Sequence, residues 1–259
     1  MASMSRHATR SVSLPTRSHP STLQLEGELV KFKTWETSVL CISDAKTVYN
    51  GVTNLDRLYT CVDDLLSLPL TRQALSCYRY EKVVHELDDR SMRVLEICGF
   101  VRDIVSQVKE HVRNVQSALR RGKGDLIMDY SFLKKLIKDA KKGVADYKQI
   151  DHVYGTKALN VDDHLSSVIR VLRGASDVSV LVFGMILSYV SMLYSKRKYA
   201  TKWSIVSKFM HKGAAGCKDQ PHICVEALDC SIENIENSLE CLFKRLIRTR
   251  ASLLNIMSY

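Results

Sequence analysis

Proline is scarce in this chain of 259 residues, which contains only Pro15, Pro20, Pro69 and Pro221. None occurs between Leu70 and Gln220. Because proline removes a backbone donor and clashes with the preceding turn inside a helix, a stretch of this length without it allows very long helices. We therefore expect an all-α protein, built as an elongated multi-helix bundle.

Sequence signatures of catalysis and of metal binding are also missing. Gly122-Lys123-Gly124-Asp125 lacks the spacing of a phosphate-binding loop, and no Gly-x-Ser-x-Gly elbow occurs. One group of histidines and cysteines has neither the Cys-x2-4-Cys nor the His-x3-5-His spacing of zinc sites. We therefore expect no enzyme activity, no catalytic residue, no cofactor and no metal ion. The members of that group are His211, Cys217, His222, Cys224 and Cys230.

The segment from His85 to Asp89 begins like a zinc-protease motif, but its fifth position is aspartate instead of the second histidine. A carboxylate at that position does not complete the histidine pair on one helix face. We therefore expect this segment to form the exposed face of a helix.

The N-terminus lacks the apolar core of a secretory signal, so the eight cysteines do not indicate a disulfide framework. Cys98 falls beside a heptad row, and Cys61 and Cys241 fall in periodic apolar segments. We interpret the cysteines as reduced and mostly buried thiols of an intracellular, cytoplasmic protein.

Acidic residues are absent from residues 1–21, which are rich in serine and arginine. Such a segment can bury little apolar surface, so we expect a disordered basic tail followed by a single helical-bundle domain over 22–259. An organelle transit peptide has the same composition and is the lesser alternative. Arginines stand three residues before Thr9 and Ser13, which leaves phosphorylation of either residue open.

Apolar periodicity predicts the longest helix over 71–121, where three adjoining apolar rows run along one side. Such a stripe is wider than a two-stranded coiled-coil seam, so we expect this helix to be the one very long central helix of the bundle. Arg90 and His111 interrupt one row, and we expect its edge to be solvated. The main row repeats every seven residues at Tyr80, Leu87, Val94, Val101, Val108 and Val115.

The remaining periodicity brings the count to five or six helices. Asn50-Gly51 predicts a turn, and Thr53 to Asp56 has the pattern of a capping box that opens a helix ending near Leu68. The lysines of the fourth helix should lie mostly on its solvated face. The other helices are predicted over 22–49, 126–149, 161–195 and 221–257.

Residues 178–195 contain no charged side chain, and Lys196-Arg197-Lys198 follows them. Spanning a bilayer takes about 20 apolar residues, so the length of this run does not decide its environment. The basic cluster resembles a cytoplasmic flank, whereas three serines and a tyrosine dilute the apolar character. We favour a buried core helix, and membrane association remains the alternative.

The net charge of +10 favours acidic partners. Basic stretches lie at 120–123, 134–142, 196–202 and 244–250, but none has the fingerprint of a nucleic-acid-binding module. We expect an unknown protein partner, keep an anionic membrane surface as an alternative, and regard nucleic acid as the less favoured partner. The apolar positions of the long helix leave a homo-oligomer open.

Several blocks of the sequence point to one family. They are Arg6-His7 and Ser13-Leu14-Pro15 near the N-terminus, Leu58-Tyr59 and Cys61 to Leu70 in the second block, Ala118 to Arg121 in the long helix, and Leu242-Phe243, Arg245-Leu246-Ile247 and Ser252 to Asn255 at the end. Together they resemble the plant-specific BYPASS-like family over nearly the whole chain. Departures are small: Glu96-Ile97 stands where Asp-Val is usual, and Ala251 where valine is usual.

The resemblance implies a plant protein connected with root and shoot development and carries over no catalytic residue. It also places the first 20 residues within a family pattern, which weakens the transit-peptide alternative. The leading hypothesis is a non-enzymatic developmental protein that acts through protein–protein contacts. The alternative is a membrane-associated helical protein whose residues 178–195 are inserted in a bilayer or lie on it.

Overall fold

The computed structural model describes residues 19–39, 44–78, 82–121, 131–150, 163–194 and 221–258. No β-strand occurs in these ranges, and the prediction of an all-α protein is confirmed. The predicted N-terminal tail falls almost entirely outside them. The helices are α1 (Pro20–Val39), α2 (Ala45–Ser67), α3 (Pro69–Cys77), α4 (Lys82–Arg120), α5 (Ser131–Lys148), α6 (Asp163–Tyr194) and α7 (Pro221–Ser258).

The second helix, α2, begins earlier in the sequence than predicted. The carboxylate of Asp44 accepts a hydrogen bond from the Thr47 backbone N–H at 2.7 Å, and this cap opens α2 at Ala45. The expected turn at Asn50-Gly51 and the expected capping box at Thr53 both lie inside α2, so those predictions are wrong. Gly51 is instead a site of close packing, because a Cβ there would lie 2.8 Å from the Trp35 ring.

The predicted helix over 71–121 is divided in the structure. Pro69 is the first residue of α3, the position where a missing backbone N–H costs least, and this short helix ends at Cys77. The next helix, α4, begins at Lys82 and has 39 residues, while α7 has 38. The prediction of one very long central helix is therefore not confirmed.

The predicted apolar rows do form the core. Leu87, Val94, Val101 and Val108 are buried in α4, whereas Val115 is only partly buried and Tyr80 lies outside the described residues. On α7 the buried positions recur every three or four residues, as predicted. They are Ile232, Ile235, Leu239, Leu242, Leu246, Thr249, Leu253 and Ile256.

The most apolar helix, α6, packs against α1, α2, α3, α4 and α5. Of residues 178–193, only Ser188 and Met192 are exposed. By length and composition alone this helix could cross a membrane, and 61% of its most apolar window is buried against the rest of the chain. A buried core helix of a soluble protein has the same composition.

Ion pairs fix the direction in which α7 lies against its neighbours. In its first half, Glu233 and Glu236 pair with Lys109 of α4. In its second half the signs reverse, and Arg245 donates to both carboxylate oxygens of Asp56 on α2. Because turning α7 end for end would bring like charges together, this pattern selects one orientation of the helix.

Candidate functional site

Of the histidines and cysteines singled out from the sequence, only Cys230 has a side chain that the structure describes. His211 and Cys217 lie outside the described residues, and Cys230 is exposed on α7. Among the residues that the structure describes, no three histidine, cysteine or acidic side chains are placed to hold a metal ion. Gly122 to Asp125 also falls outside the described ranges, so no phosphate site can be assigned there.

The cysteines are less buried than predicted. Cys98 is buried in α4 and Cys61 is half-buried, whereas Cys77, Cys230 and Cys241 are exposed. All five are free thiols. The prediction of mostly buried thiols is therefore wrong for the described residues, because the cysteines of α3 and α7 lie on the outer sides of their helices.

The segment from His85 to Asp89 contains the largest departure from the sequence analysis. His85 and Asp89 are exposed as expected, but Glu86 is only 2% exposed. Arg90, in the row whose edge was predicted to be solvated, is also 2% exposed. The prediction of an exposed face is therefore wrong for Glu86, and the prediction of a solvated edge is wrong for Arg90, because the two charged side chains pair with each other inside the bundle.

Five side chains from three helices form what we term the buried ion cluster: Glu86 and Arg90 of α4, Tyr147 of α5, and Arg173 and Asp177 of α6. Its centre, formed by Glu86, Arg90 and Tyr147, is buried, whereas Arg173 is half-buried and Asp177 is exposed at its edge. Arg90 Nε lies 2.7 Å from Glu86 Oε1, and Arg90 Nη1 lies 2.9 Å from Tyr147 Oη. Tyr147 in turn donates to Asp177 Oδ1 at 2.7 Å. Arg173 donates to both oxygens of the Glu86 carboxylate, from Nε to Oε1 and from Nη2 to Oε2.

The cluster is balanced in charge, with two guanidinium groups against two carboxylates. Burial, followed by the negative charge of Asp177, raises the pKa of the Tyr147 hydroxyl. Burial opposes the charge on Arg90, but Tyr147 and the hydrogen bond with Glu86 outweigh it and leave the pKa of Arg90 above its usual value. Both shifts move the pKa away from neutral pH, whereas an acid or base catalyst needs a pKa near it. The arrangement serves to join α4, α5 and α6.

Sequence reasoning missed this cluster, although a signal for part of it was present. Glu86 and Arg90 are four residues apart, which places them on one face of a helix, and Arg90 falls in an otherwise apolar row. A charged residue in an apolar row with an opposite charge one turn away indicates a buried pair. Its partners on α5 and α6 could not be found from spacing, because they come from distant parts of the chain.

A small cavity lies between α2, α4, α6 and α7. Its volume is about 40 Å³, and Tyr59, Leu87, Ser176 and Thr249 are among the residues that line it. Small-molecule sites enclose about 300–1,000 Å³, so this cavity has room for a few water molecules and not for a substrate.

One surface of α1 is uncharged and has no contact with the rest of the described bundle at its middle. Leu23 is 54% exposed and Val30 is 62% exposed, and a Cβ added to Gly27 would meet no atom within 4 Å. Together with exposed Thr34, these positions are spaced by three and four residues and lie on one side of the helix. We term Leu23, Gly27, Val30 and Thr34 the outer face of α1.

The opposite side of the same helix is buried. Leu25 and Phe32 are in the core, and Trp35 packs edge-to-face on Phe32 with ring centres 5.7 Å apart. A helix with apolar residues on two opposite sides buries one of them within its own fold and presents the other to solvent. The outer face of α1 is thus a candidate surface for a partner.

A comparison with known protein families identifies the family to which this chain is related. The family model described as Protein BPS1 matches residues 51–256, from the first turns of α2 almost to the end of α7. The chain belongs to the BPS1 family. Membership confirms the resemblance to BYPASS-like proteins and indicates a plant developmental protein.

The match to the BPS1 family begins after α1, so neither the N-terminal tail nor the outer face of α1 belongs to the matched residues. The searches of curated proteins and of solved structures found no match. The buried ion cluster, by contrast, lies wholly within the region matched to the BPS1 family.

Proposed function

We propose that this chain is a non-enzymatic protein of root and shoot development that acts in the cytoplasm through protein–protein contacts. The observation that carries the proposal is the outer face of α1. Two large aliphatic side chains seven residues apart are more than half exposed there, with glycine between them. A partner helix could approach closely over the glycine and bury both side chains.

The described interior supports a binding role over catalysis. The charged groups of the buried ion cluster pair with one another and join three helices. The cavity between α2, α4, α6 and α7 is too small for a substrate. The free cysteines of the described residues agree with a reducing compartment. Because α1 precedes the residues matched to the BPS1 family, its docking role is proposed for this chain alone.

Affinity purification from plant tissue tests the proposal with three versions of the full chain. The first is unchanged, the second carries Leu23→Glu with Val30→Lys, and the third carries Ile247→Glu with Leu254→Lys. The third version is the matched control, since Ile247 and Leu254 are also exposed aliphatic residues seven apart, on α7. Both double substitutions leave the net charge unchanged.

We expect the same partner to be recovered with the unchanged chain and with the α7 control, and to be lost from the α1 variant. Circular dichroism must show equal helix content in all three. A partner that the α1 variant retains, or one that only the α7 control loses, would overturn the role of α1. Recovery of a second copy of this chain would identify the contact as a homo-oligomer.

A second candidate function rests on α6, which is long and apolar enough to cross a bilayer. In that case residues 178–195 are inserted in a membrane or lie against one. Leu187→Lys would abolish insertion, but Leu187 is 2% exposed in the bundle, so the same change would also disrupt the fold.

Ser188→Lys separates the two cases, because Ser188 is exposed in the bundle and lies near the middle of the uncharged run. A lysine at the centre of a spanning helix costs about 3 kcal/mol, whereas an exposed lysine on a soluble bundle costs little. Membrane pelleting that resists carbonate and is lost in Ser188→Lys would favour insertion. An unchanged chain that never pellets, with a Ser188→Lys variant that is equally folded and soluble, would eliminate insertion.

A further inference from the structure

The outward side of α5 carries six lysines. The helix buries Leu133, Ala140 and Tyr147 on its inner side against the bundle. The exposed lysines project within an arc of about 140°, at 3.6 residues per turn, and extend over about 21 Å. We term them the lysine face of α5: Lys134, Lys135, Lys138, Lys141, Lys142 and Lys148.

No carboxylate of the described chain forms an ion pair with any lysine of this face. The two acidic residues of the helix, Asp139 and Asp146, lie beside the arc and are half-buried. Elsewhere the pattern differs, since Lys109 and Arg245 each pair with carboxylates of a neighbouring helix. The lysine face is therefore a concentrated positive charge that the described fold leaves uncompensated.

We propose that the lysine face of α5 docks the bundle on a membrane surface that contains anionic phospholipids. Anionic lipid surfaces attract amphipathic helices that carry about four to eight basic residues. An ammonium group is a compact point charge that needs no particular geometry from its partner. A row of them along one side of a helix can face a surface of mobile anionic headgroups.

Two other acidic partners fit this face less well. Nucleic-acid recognition favours the planar fork of arginine and aromatic rings that stack on bases, and the exposed arc contains neither. A protein interface needs an apolar centre that loses its water, and the exposed positions between the lysines are Ala145 and Gln149. A diffuse anionic surface requires only the charge that is present.

The packing of α5 also determines the mode of binding. Because its apolar side is held against α4 and α6, the helix cannot turn that side into the lipid as free amphipathic helices do. Binding is therefore peripheral, electrostatic and sensitive to salt, with α6 still inside the bundle. This inference is independent of the protein contact proposed for α1 and of insertion of α6.

Vesicle sedimentation with the full chain tests the proposal. The vesicles contain phosphatidylcholine alone or mixed with phosphatidylserine, at about 0.1 M and about 1 M salt, where the screening length falls from about 10 Å to about 3 Å. The test variant carries Lys134→Gln, Lys138→Gln and Lys141→Gln. The matched control carries Lys33→Gln, Lys46→Gln and Lys82→Gln, which removes the same charge from exposed sites on α1, α2 and α4.

We expect the unchanged chain to bind the phosphatidylserine vesicles at low salt and to be released at high salt. Each lysine near an anionic surface contributes about a fivefold gain in partitioning, so the test variant should bind roughly 100-fold more weakly. The control should retain binding within a few-fold. Circular dichroism must show that both variants keep the helix content of the unchanged chain.

Four results would overturn the proposal. They are no binding of the unchanged chain, equal binding by the test variant, equal binding to vesicles of phosphatidylcholine alone, and binding that persists at high salt. The last result would point to insertion of α6. If a duplex RNA bound where vesicles did not, and the test variant lost that binding, the lysine face would be assigned to nucleic acid.

Discussion

Arg90 donates from Nε to Glu86 Oε1, one helical turn earlier on α4, across 2.7 Å, and both side chains are 2% exposed. Two charges are thereby removed from water inside a core of aliphatic residues. Such a pair adds little net stability over an apolar alternative, but leaving one partner alone is costly. The cluster therefore acts mainly to specify how α5 and α6 meet α4.

Arg90→Met should destabilise the protein by about 3 kcal/mol, the lower end of the cost of breaking a buried pair. Arg173 would still hold Glu86, but Tyr147 and Asp177 would lose their shared donor. The free energy of unfolding in urea, followed by circular dichroism, measures the loss.

Arg93→Met is the matched control for that experiment. Arg93 lies one turn further along α4 and pairs with Glu96, and both side chains are nearly half exposed. Its replacement should cost less than about 1 kcal/mol. Equal losses for the two variants would contradict a structural role for the cluster.

Periodicity predicted the faces of the helices better than their ends. The apolar rows of α4 and α7 are buried as expected, because burial follows directly from the side on which a residue falls. The end of α3 at Cys77 was not predicted, since no proline or glycine marks it. A continuous apolar pattern does not reveal where the chain stops being helical.

Of the two candidate surfaces, the lysine face of α5 was predicted from the sequence and the outer face of α1 was not. The lysines of α5 were expected on a solvated face, and their exposure is confirmed. The outer face of α1 was not predicted, because Leu23 and Val30 share one helix with Leu25 and Phe32 and periodicity does not tell which side meets the bundle. That choice depends on the tertiary contacts of α1 with α2 and α6.

Gly51→Ala should separate α1 from α2 locally. Its new Cβ would lie 2.8 Å from Trp35 Cη2 and 3.6 Å from Val182 Cγ1, and an indole ring held against Phe32 has little freedom to move. We expect a loss of about 1–3 kcal/mol, as for other overpacked cores. Urea unfolding gives the energy, and Trp35 fluorescence in a Trp203→Phe background reports the displaced ring.

The control for this change is Gly184→Ala in α6, where the added Cβ meets no atom within 4 Å. Replacing an unconstrained glycine inside a helix should stabilise the protein by about 0.5–1 kcal/mol. Opposite signs for the two variants are therefore expected. A stabilising Gly51→Ala would show that Trp35 is not held as the structure has it.

Because Cys98 is buried, we expect the stability of the bundle to fall as the pH rises above about 9. Burial raises the pKa of its thiol from 9.0 to about 12, with a smaller opposing effect from Arg102. Between those values the unfolded chain has released a proton that the folded chain retains. Fewer protons bound in the unfolded state mean that stability falls as pH rises, by about 1.4 kcal/mol per pH unit for this one group.

The contribution of Cys98 can be isolated by comparing the protein with Cys98→Ala from about pH 8 to about pH 11. The stability advantage of the unchanged protein over Cys98→Ala should be constant below about pH 9 and then shrink with the slope given above. Val105→Ala, which also removes volume from the buried side of α4 but no titratable group, should show a difference that does not change with pH. If the stability difference for Cys98→Ala is as independent of pH as the one for Val105→Ala, the Cys98 thiol is not shielded from water as its burial requires.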